Sequence, residues 1–208
     1  GRIKDNYQIV DFIKKIKFNI FNQYKLKNFN LNFEIQKDNY LLKQVDTEIN
    51  DIKITSELIK IIKDKNLFFV NGQVLNDTKK FSIKELKSFF PSLLENIEIK
   101  KIEFSTVNDF SFNINNNLKL NDLKIETTLN LKELIFNGRH LKLKTYFPNF
   151  IEEIKLKKHK IIINYDKNKL NLKGIGNILL ENKQDSLSYH ITKNDNQILF
   201  DTKLNLKN

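Results

Sequence analysis

The chain has 208 residues, 40% hydrophobic and 29% charged, with no Ala, Met, Trp or Cys. That length holds one sizeable domain, or one section of a longer repetitive protein, and the composition excludes a disordered tail. The missing Ala argues against a helical bundle, and the missing Cys rules out disulfides and thiolate chemistry.

The net charge is +11, but 34 of the 36 basic residues are Lys and only Arg2 and Arg139 are Arg. Base readout and bidentate phosphate clamping favour the planar guanidinium. The Lys residues are spread along the polar faces of strand-like segments among thirty Asn residues, not gathered in one patch. This reads as a solvated face, and a nucleic-acid partner is not expected; anionic lipid headgroups suit Lys equally well. No apolar run approaches the roughly 18 residues of a membrane-spanning helix.

Taken in chain order, Ile9–Ile16 reads as a strand, an amphipathic helix being the other fit. Phe29, Leu31, Phe33 and Ile35 alternate strictly, which gives a strand one apolar and one polar face. Asp64-Lys65-Asn66 turns between Leu58–Ile62 and Leu67–Val70. Ser82-Ile83-Lys84-Glu85 is a capping box opening a short helix, with Leu86, Phe89, Phe90, Leu93 and Leu94 as its stripe and Pro91 as its break. Asn115-Asn116-Asn117 divides Phe112/Ile114 from Leu118/Leu120. Leu123, Ile125, Thr127, Leu129 and Leu131 alternate again, and Asn137-Gly138 is a favoured hairpin dipeptide. A second short helix is expected over Leu141–Glu153, interrupted at Pro148. Asp166-Lys167-Asn168 and Asn194-Asp195-Asn196 close two further hairpins, the last leading into Ile198, Phe200, Thr202, Leu204 and Leu206.

Short links join antiparallel neighbours. The expected fold is mainly β: a long, curled antiparallel β-meander forming an open groove, with one or two short helices, over 1–208 as a single elongated segment. Lys87–Lys101 and Lys144–Lys158 match at seven of fifteen positions, pointing to an internal repeat over 82–140 and 141–208 that stacks lengthwise.

The usual chemistry is missing. His140, His159 and His190 are isolated and expected at surfaces or edges, with no metal-ligand spacing among them. Glu152-Glu153 reads as helix surface, and Gly174-Ile175-Gly176 as a bulge or bend, too short for a dinucleotide loop. Asn76-Asp77-Thr78 matches a glycosylation acceptor, as chance alone allows in so Asn-rich a chain. No enzymatic activity, cofactor, metal or catalytic residue is expected.

The segment Ile52–Lys87, IKITSELIKIIKDKNLFFVNGQVLNDTKKFSIKELK, orders a strand, a short hairpin, a polar link and a short helix. In that order, and in the Phe-Pro steps at Leu86–Pro91 and Tyr146–Pro148, the chain resembles the β-rich regions of bacterial AsmA-like proteins of the TamB and YhdP type. Those are similar to bridge-like lipid-transfer proteins. The resemblance implies an apolar β-groove carrying phospholipid between inner and outer membrane. It further implies a role in outer-membrane biogenesis and a periplasmic segment anchored in the inner membrane through regions outside this stretch. Phospholipid acyl chains and adjoining β units of the same chain would be its partners.

The alternating sets are the expected groove lining: Phe29, Leu31, Phe33 and Ile35; Ile97 and Ile99; Leu123, Ile125, Leu129 and Leu131; Ile161 and Ile163; Phe200, Leu204 and Leu206. Lys, Asn and Asp would face water, and charge reversal at Lys124 and Lys132 should matter little. The alternative is a non-enzymatic structural or adhesive β domain, in which the same residues close a dry core between two sheets.

Overall fold

The computed structural model describes residues 8–20, 24–89, 98–138, 152–180, 183–195 and 197–206. Its strands are β1 (Gln8–Ile20), β2 (Tyr24–Gln36), β3 (Asn39–Ile49), β4 (Ile52–Asp64), β5 (Leu67–Phe81), β6 (Ile99–Asn115), β7 (Leu120–Asn137), β8 (Glu153–Asp166), β9 (Lys169–Leu180), β10 (Lys183–Asn194) and β11 (Gln197–Asn205). A seven-residue helix, α1 (Ile83–Phe89), lies between β5 and β6. All eleven strands belong to one sheet in chain order, with β1 at one edge and β11 at the other. The chain thus forms an open antiparallel meander with almost no helix. Ile9–Ile16 lies within β1 and is strand.

The turns follow from residues that tolerate positive φ. Asn50 (φ 48°) and Asp51 (φ 69°) join β3 to β4, and Lys167 (φ 47°) and Asn168 (φ 65°) join β8 to β9. Positive φ at both central positions is the type I′ turn, whose twist matches that of the flanking strands. Asn50 is further tied down, its Oδ1 accepting from the Lys25 amide at 2.9 Å and its own amide donating to the Lys25 carbonyl at 3.0 Å. Between β6 and β7, Asn115 Oδ1 accepts from the amides of Asn117 and Lys119, both at 3.0 Å. Asn137-Gly138 is not a hairpin turn. Neither residue has positive φ, and the Gly138 amide donates instead to the Glu152 carbonyl at 2.6 Å.

The alternation is repeatedly shifted by one residue inside the strands. Lys15, Asn28, Gln44 and Lys158 sit at positive φ within β1, β2, β3 and β8. Register shifts accompany the first three: between Ile13 and Ile16 in β1, and around Asn28 and Gln44 where β2 pairs with β3. Each shift is a β-bulge, which adds one residue and returns the next apolar side chain to the same face.

The capping box forms as expected. The Glu85 amide donates to Ser82 Oγ at 3.2 Å, and the Ser82 amide donates to Glu85 Oε2 at 2.6 Å. Leu86 is buried. The rest of the expected stripe from Phe90 onward, Pro91, Pro148 and the second helix up to residue 151 lie outside the described residues. Glu153, expected to end that helix, is instead the first residue of β8. Its carboxylate pairs with Lys100 at 2.9 Å and Lys155 at 3.1 Å, so Glu152-Glu153 is not helix surface.

The chain divides into two compact units. The first comprises 1–77, 107–126 and 165–167; the second comprises 78–106, 127–164 and 168–208. Strands β5 to β8 contribute residues to both.

Candidate functional site

Directly opposed residues in an antiparallel pair point to the same side of the sheet. In the first unit the register therefore assembles apolar rows across strands. Ile9, Ile35, Tyr40, Ile61 and Val70 form one, through β1 to β5. Phe33, Leu42, Ile59 and Gly72 form the next. A Cβ on Gly72 would stand 3.1 Å from the Phe110 ring and 3.0 Å from Ile59 Cγ1, so the missing side chain admits both. Leu26, Ile49 and Ile52 make a further row beyond the bulges. Most of these side chains are half-buried; Leu26, Leu31, Val45, Ile52 and Val70 are buried.

In the second unit the corresponding rows are Gly176–Leu187–Leu204, Gly174–Tyr189–Thr202 and Leu172–Ile191–Phe200 across β9, β10 and β11. Ile154 and Ile178 are buried together, with Phe136, Leu156 and Leu187 packed against them. Phe81 is buried and stacks on Phe104 with ring centres 4.3 Å apart.

The expected lining residues distribute as follows. Leu31 and Leu131 are buried, while Phe29, Phe33, Ile35, Ile99, Leu123, Ile125, Leu129, Ile161 and Ile163 are half-buried. The bulge at Asn28 places Leu26 and Phe29 on one side, a phase that strict alternation misses. Phe200 (76% exposed), Leu204 and Leu206 stand open; among the described residues β11 pairs only with β10. Ile97 lies outside the described residues. Leu26, Val45, Ile52, Val70, Ile154 and Ile178 are buried core positions that the alternating sets omitted.

Nor are the rows uniformly apolar. Thr47 and Ser56 are buried among those of the first unit, and in the second Asp185 is buried opposite Ile178. The other side is not uniformly polar: Val10, Phe12 and Leu58 are exposed there, opposite Glu34, Asn32 and Lys43. Asn76, in the glycosylation-like triplet, is buried in β5 with its amide donating to the Lys53 carbonyl at 3.0 Å, so the folded strand withholds it.

The histidines depart from expectation. His140 lies outside the described residues, and His190 is half-buried, its Nε2 2.8 Å from Asn171 Oδ1. His159 is 2% exposed. Its Nε2 lies 2.9 Å from the Asn177 carbonyl, which can only accept, so that nitrogen carries the proton. Nδ1 is left to accept from the Tyr189 hydroxyl at 3.4 Å. The ring stacks on Tyr189 and sits over Gly176, while Tyr189 covers Gly174. β9 and β10 pair without any register shift here, and neither glycine has positive φ. Gly174-Ile175-Gly176 is therefore neither bulge nor bend; its glycines are seats for two rings.

Burial holds the His159 imidazole below its ordinary pKa of 6.5, against the opposing pull of the Asn177 hydrogen bond, and pushes the Tyr189 hydroxyl up to about 12. A folded-state pKa below the unfolded one means that the unfolded chain takes up the proton first. Stability is therefore expected to be full above pH 6.5 and to fall as pH drops from there through the lower folded value, with a slope of at most about 1.4 kcal/mol per pH unit. Urea melts across that window measure it. His159→Gln should flatten the slope, and an unchanged slope would assign it elsewhere.

Lysines and glutamates interlock across β6, β7 and β8. Glu133 pairs with Lys101 and, at 3.5 Å, with Lys157. Lys132 Nζ lies 2.6 Å from Glu103 Oε1, and Glu103 is buried, its carboxyl held below the usual 4.5 chiefly by that hydrogen bond. Charge reversal at Lys132 would set two carboxylates together, so it is not the neutral control that alternation implied. Lys124 is: its pair with Asp166 spans 3.6 Å and both side chains are exposed. No protein-family model, no curated protein and no solved structure matches the chain.

Proposed function

We propose that this chain offers the apolar side of its sheet to phospholipid acyl chains, as part of an envelope protein of the AsmA-like kind that carries lipid between inner and outer membrane. The observation that carries the proposal is that all described strands belong to one sheet, so among the described residues no second sheet lies on the half-buried Phe, Leu and Ile rows. A side chain left half-exposed on such a row gains from an alkyl neighbour. Each methylene removed from water contributes about 0.8 kcal/mol, so a chain of about a dozen gains on the order of 10 kcal/mol. Rows of similar apolar residues offer no single deep well, and an alkyl chain can move from one to the next. Thr47, Ser56 and His159 lie among these rows but are buried, so they present no polar stop to a sliding chain.

The test is mass spectrometry of lipid that co-purifies with the protein from a bacterial envelope. Stoichiometric phospholipid is expected. A lipid-free, monodisperse protein with cooperative unfolding would overturn the proposal in favour of a structural or adhesive β domain.

A further inference from the structure

The side of β8 to β11 that faces away from the Tyr189 ring carries a hollow. Lys173 and Ile175 flank Gly174 in β9, and Ser188 and His190 flank Tyr189 in β10. The Tyr189 ring covers the Cβ side of Gly174, so these four neighbours point to the opposite side, as strand alternation requires. The register then sets Ile175, Ser188 and Lys203 in one row and Lys173, His190 and Asp201 in the next. Lys160 and Ile162 of β8 complete the wall. The hollow measures about 380 Å³, within the range of small-ligand sites, and all of it lies in the second unit. Ser188 is the short residue of its row, so its half-buried side chain forms the floor between Ile175 and Lys203.

The lysines set this hollow apart. Across β6, β7 and the start of β8 each ammonium group has a carboxylate: Lys100 and Lys155 meet Glu153, Lys101 and Lys157 meet Glu133, and Lys132 meets Glu103. Lys160, Lys173 and Lys203 are exposed, and among the described residues no carboxylate pairs with them, Asp201 included. Three ammonium groups therefore face one cavity against a single carboxylate, and walls of one charge sign focus their field on what enters. Ile162 and Ile175 stand exposed beside them and offer apolar contact to the rest of a ligand. We infer that this hollow binds a phosphate monoester, its phosphate over the Ser188 hydroxyl and among Lys160, Lys173 and Lys203, its organic part against the two isoleucines. Lysine serves a terminal phosphate as a point charge with rotatable donors. A doubly charged monoester gains twice from each ammonium group, while a phosphodiester offers one charge and two substituents to fit. The phosphate can belong to a soluble molecule or to a lipid headgroup, the chemistry being the same. The hollow lies on the opposite side from Leu187 and Leu204, so it stands whether or not their row carries acyl chains.

Backbone amide NMR shifts of the chain titrated with butyl phosphate test the site. Saturable shifts are expected, centred on Gly174, Ile175, Ser188 and Tyr189. Lys173→Gln with Lys203→Gln should weaken binding about tenfold or more, whereas Lys84→Gln with Lys87→Gln, which removes two exposed charges from α1, should leave it unchanged. Asp201→Asn should tighten binding about threefold by removing the one repulsive charge, a gain that no misfolded variant could show. Sedimentation with phosphatidic acid vesicles separates the two sources. Vesicle binding that butyl phosphate competes away places the phosphate on a lipid headgroup, and binding of butyl phosphate alone places it on a soluble ligand. Shifts that fail to saturate, an equal loss in the α1 variant, or no gain from Asp201→Asn would each overturn the site.

Discussion

Joint replacement of Ile125 and Leu129 by Asp is expected to abolish lipid co-purification and transfer while leaving the sheet folded. Both are half-buried in β7 at alternate positions of one strand face, and the far-UV spectrum should keep its strand signature. Two carboxylates on an acyl path remove apolar contact and add charge that an alkyl chain cannot solvate. About 3 kcal/mol of lost binding, a modest figure for two such groups, is already about a hundredfold in affinity. The control is Lys124→Gln, which removes only an exposed ion pair worth about 1 kcal/mol or less and leaves no like charge beside Asp166. Transfer at the wild-type rate by the double variant would sink the assignment of the apolar side as a lipid path. Comparable loss in the Lys124 variant would mean that the two sides of the sheet had been assigned the wrong way round.

The largest effect on stability is expected at Gly176. A Cβ there would stand 2.3 Å from His159 Cδ2 and 2.7 Å from the His159 Cα. A ring can tilt, but a backbone atom in a neighbouring strand cannot yield without moving the ladder. Gly176→Ala should cost about 3 kcal/mol in chemical denaturation, the upper range for forcing an extra methyl into packed structure. At Gly174 the nearest atoms all belong to the outer end of the Tyr189 ring, which can swing aside, so Gly174→Ala should cost about 1 kcal/mol. Equal costs at the two sites would show that the His159 seat is no more rigid than the Tyr189 seat. His159→Ala in the Gly176→Ala background should recover part of the loss, by removing the ring but not the Cα.

Much of this arrangement is legible without coordinates. Period-2 alternation in Phe29–Ile35 and Leu123–Leu131 marks strands because side chains of an extended chain point alternately to either side. Asx residues mark turns at 115–117, where Asn115 Oδ1 accepts from the following backbone, and at 166–168, where Asn168 takes positive φ. Ser82 and Glu85 mark the start of α1 because each can satisfy the other's unpaired amide. What alternation could not show is where it breaks. The bulges at Lys15, Asn28 and Gln44 each shift the phase by one, and Lys and Gln announce no such geometry. Leu26 and Val45, beside those bulges, were missed for that reason, and Asn137-Gly138 misled because a favoured turn dipeptide can also lie in extended chain.

A mainly antiparallel β chain, short hairpin links, a capped helix and strands with an apolar and a polar side are all readable along the chain, since these depend on neighbours within a few residues. Choosing a single open sheet in chain order over a sandwich took the folded structure, because strand pairing joins residues far apart and the alternating pattern is the same for both. The fold alone placed His159 over Gly176 beneath Tyr189, a contact among three strands that no local spacing encodes.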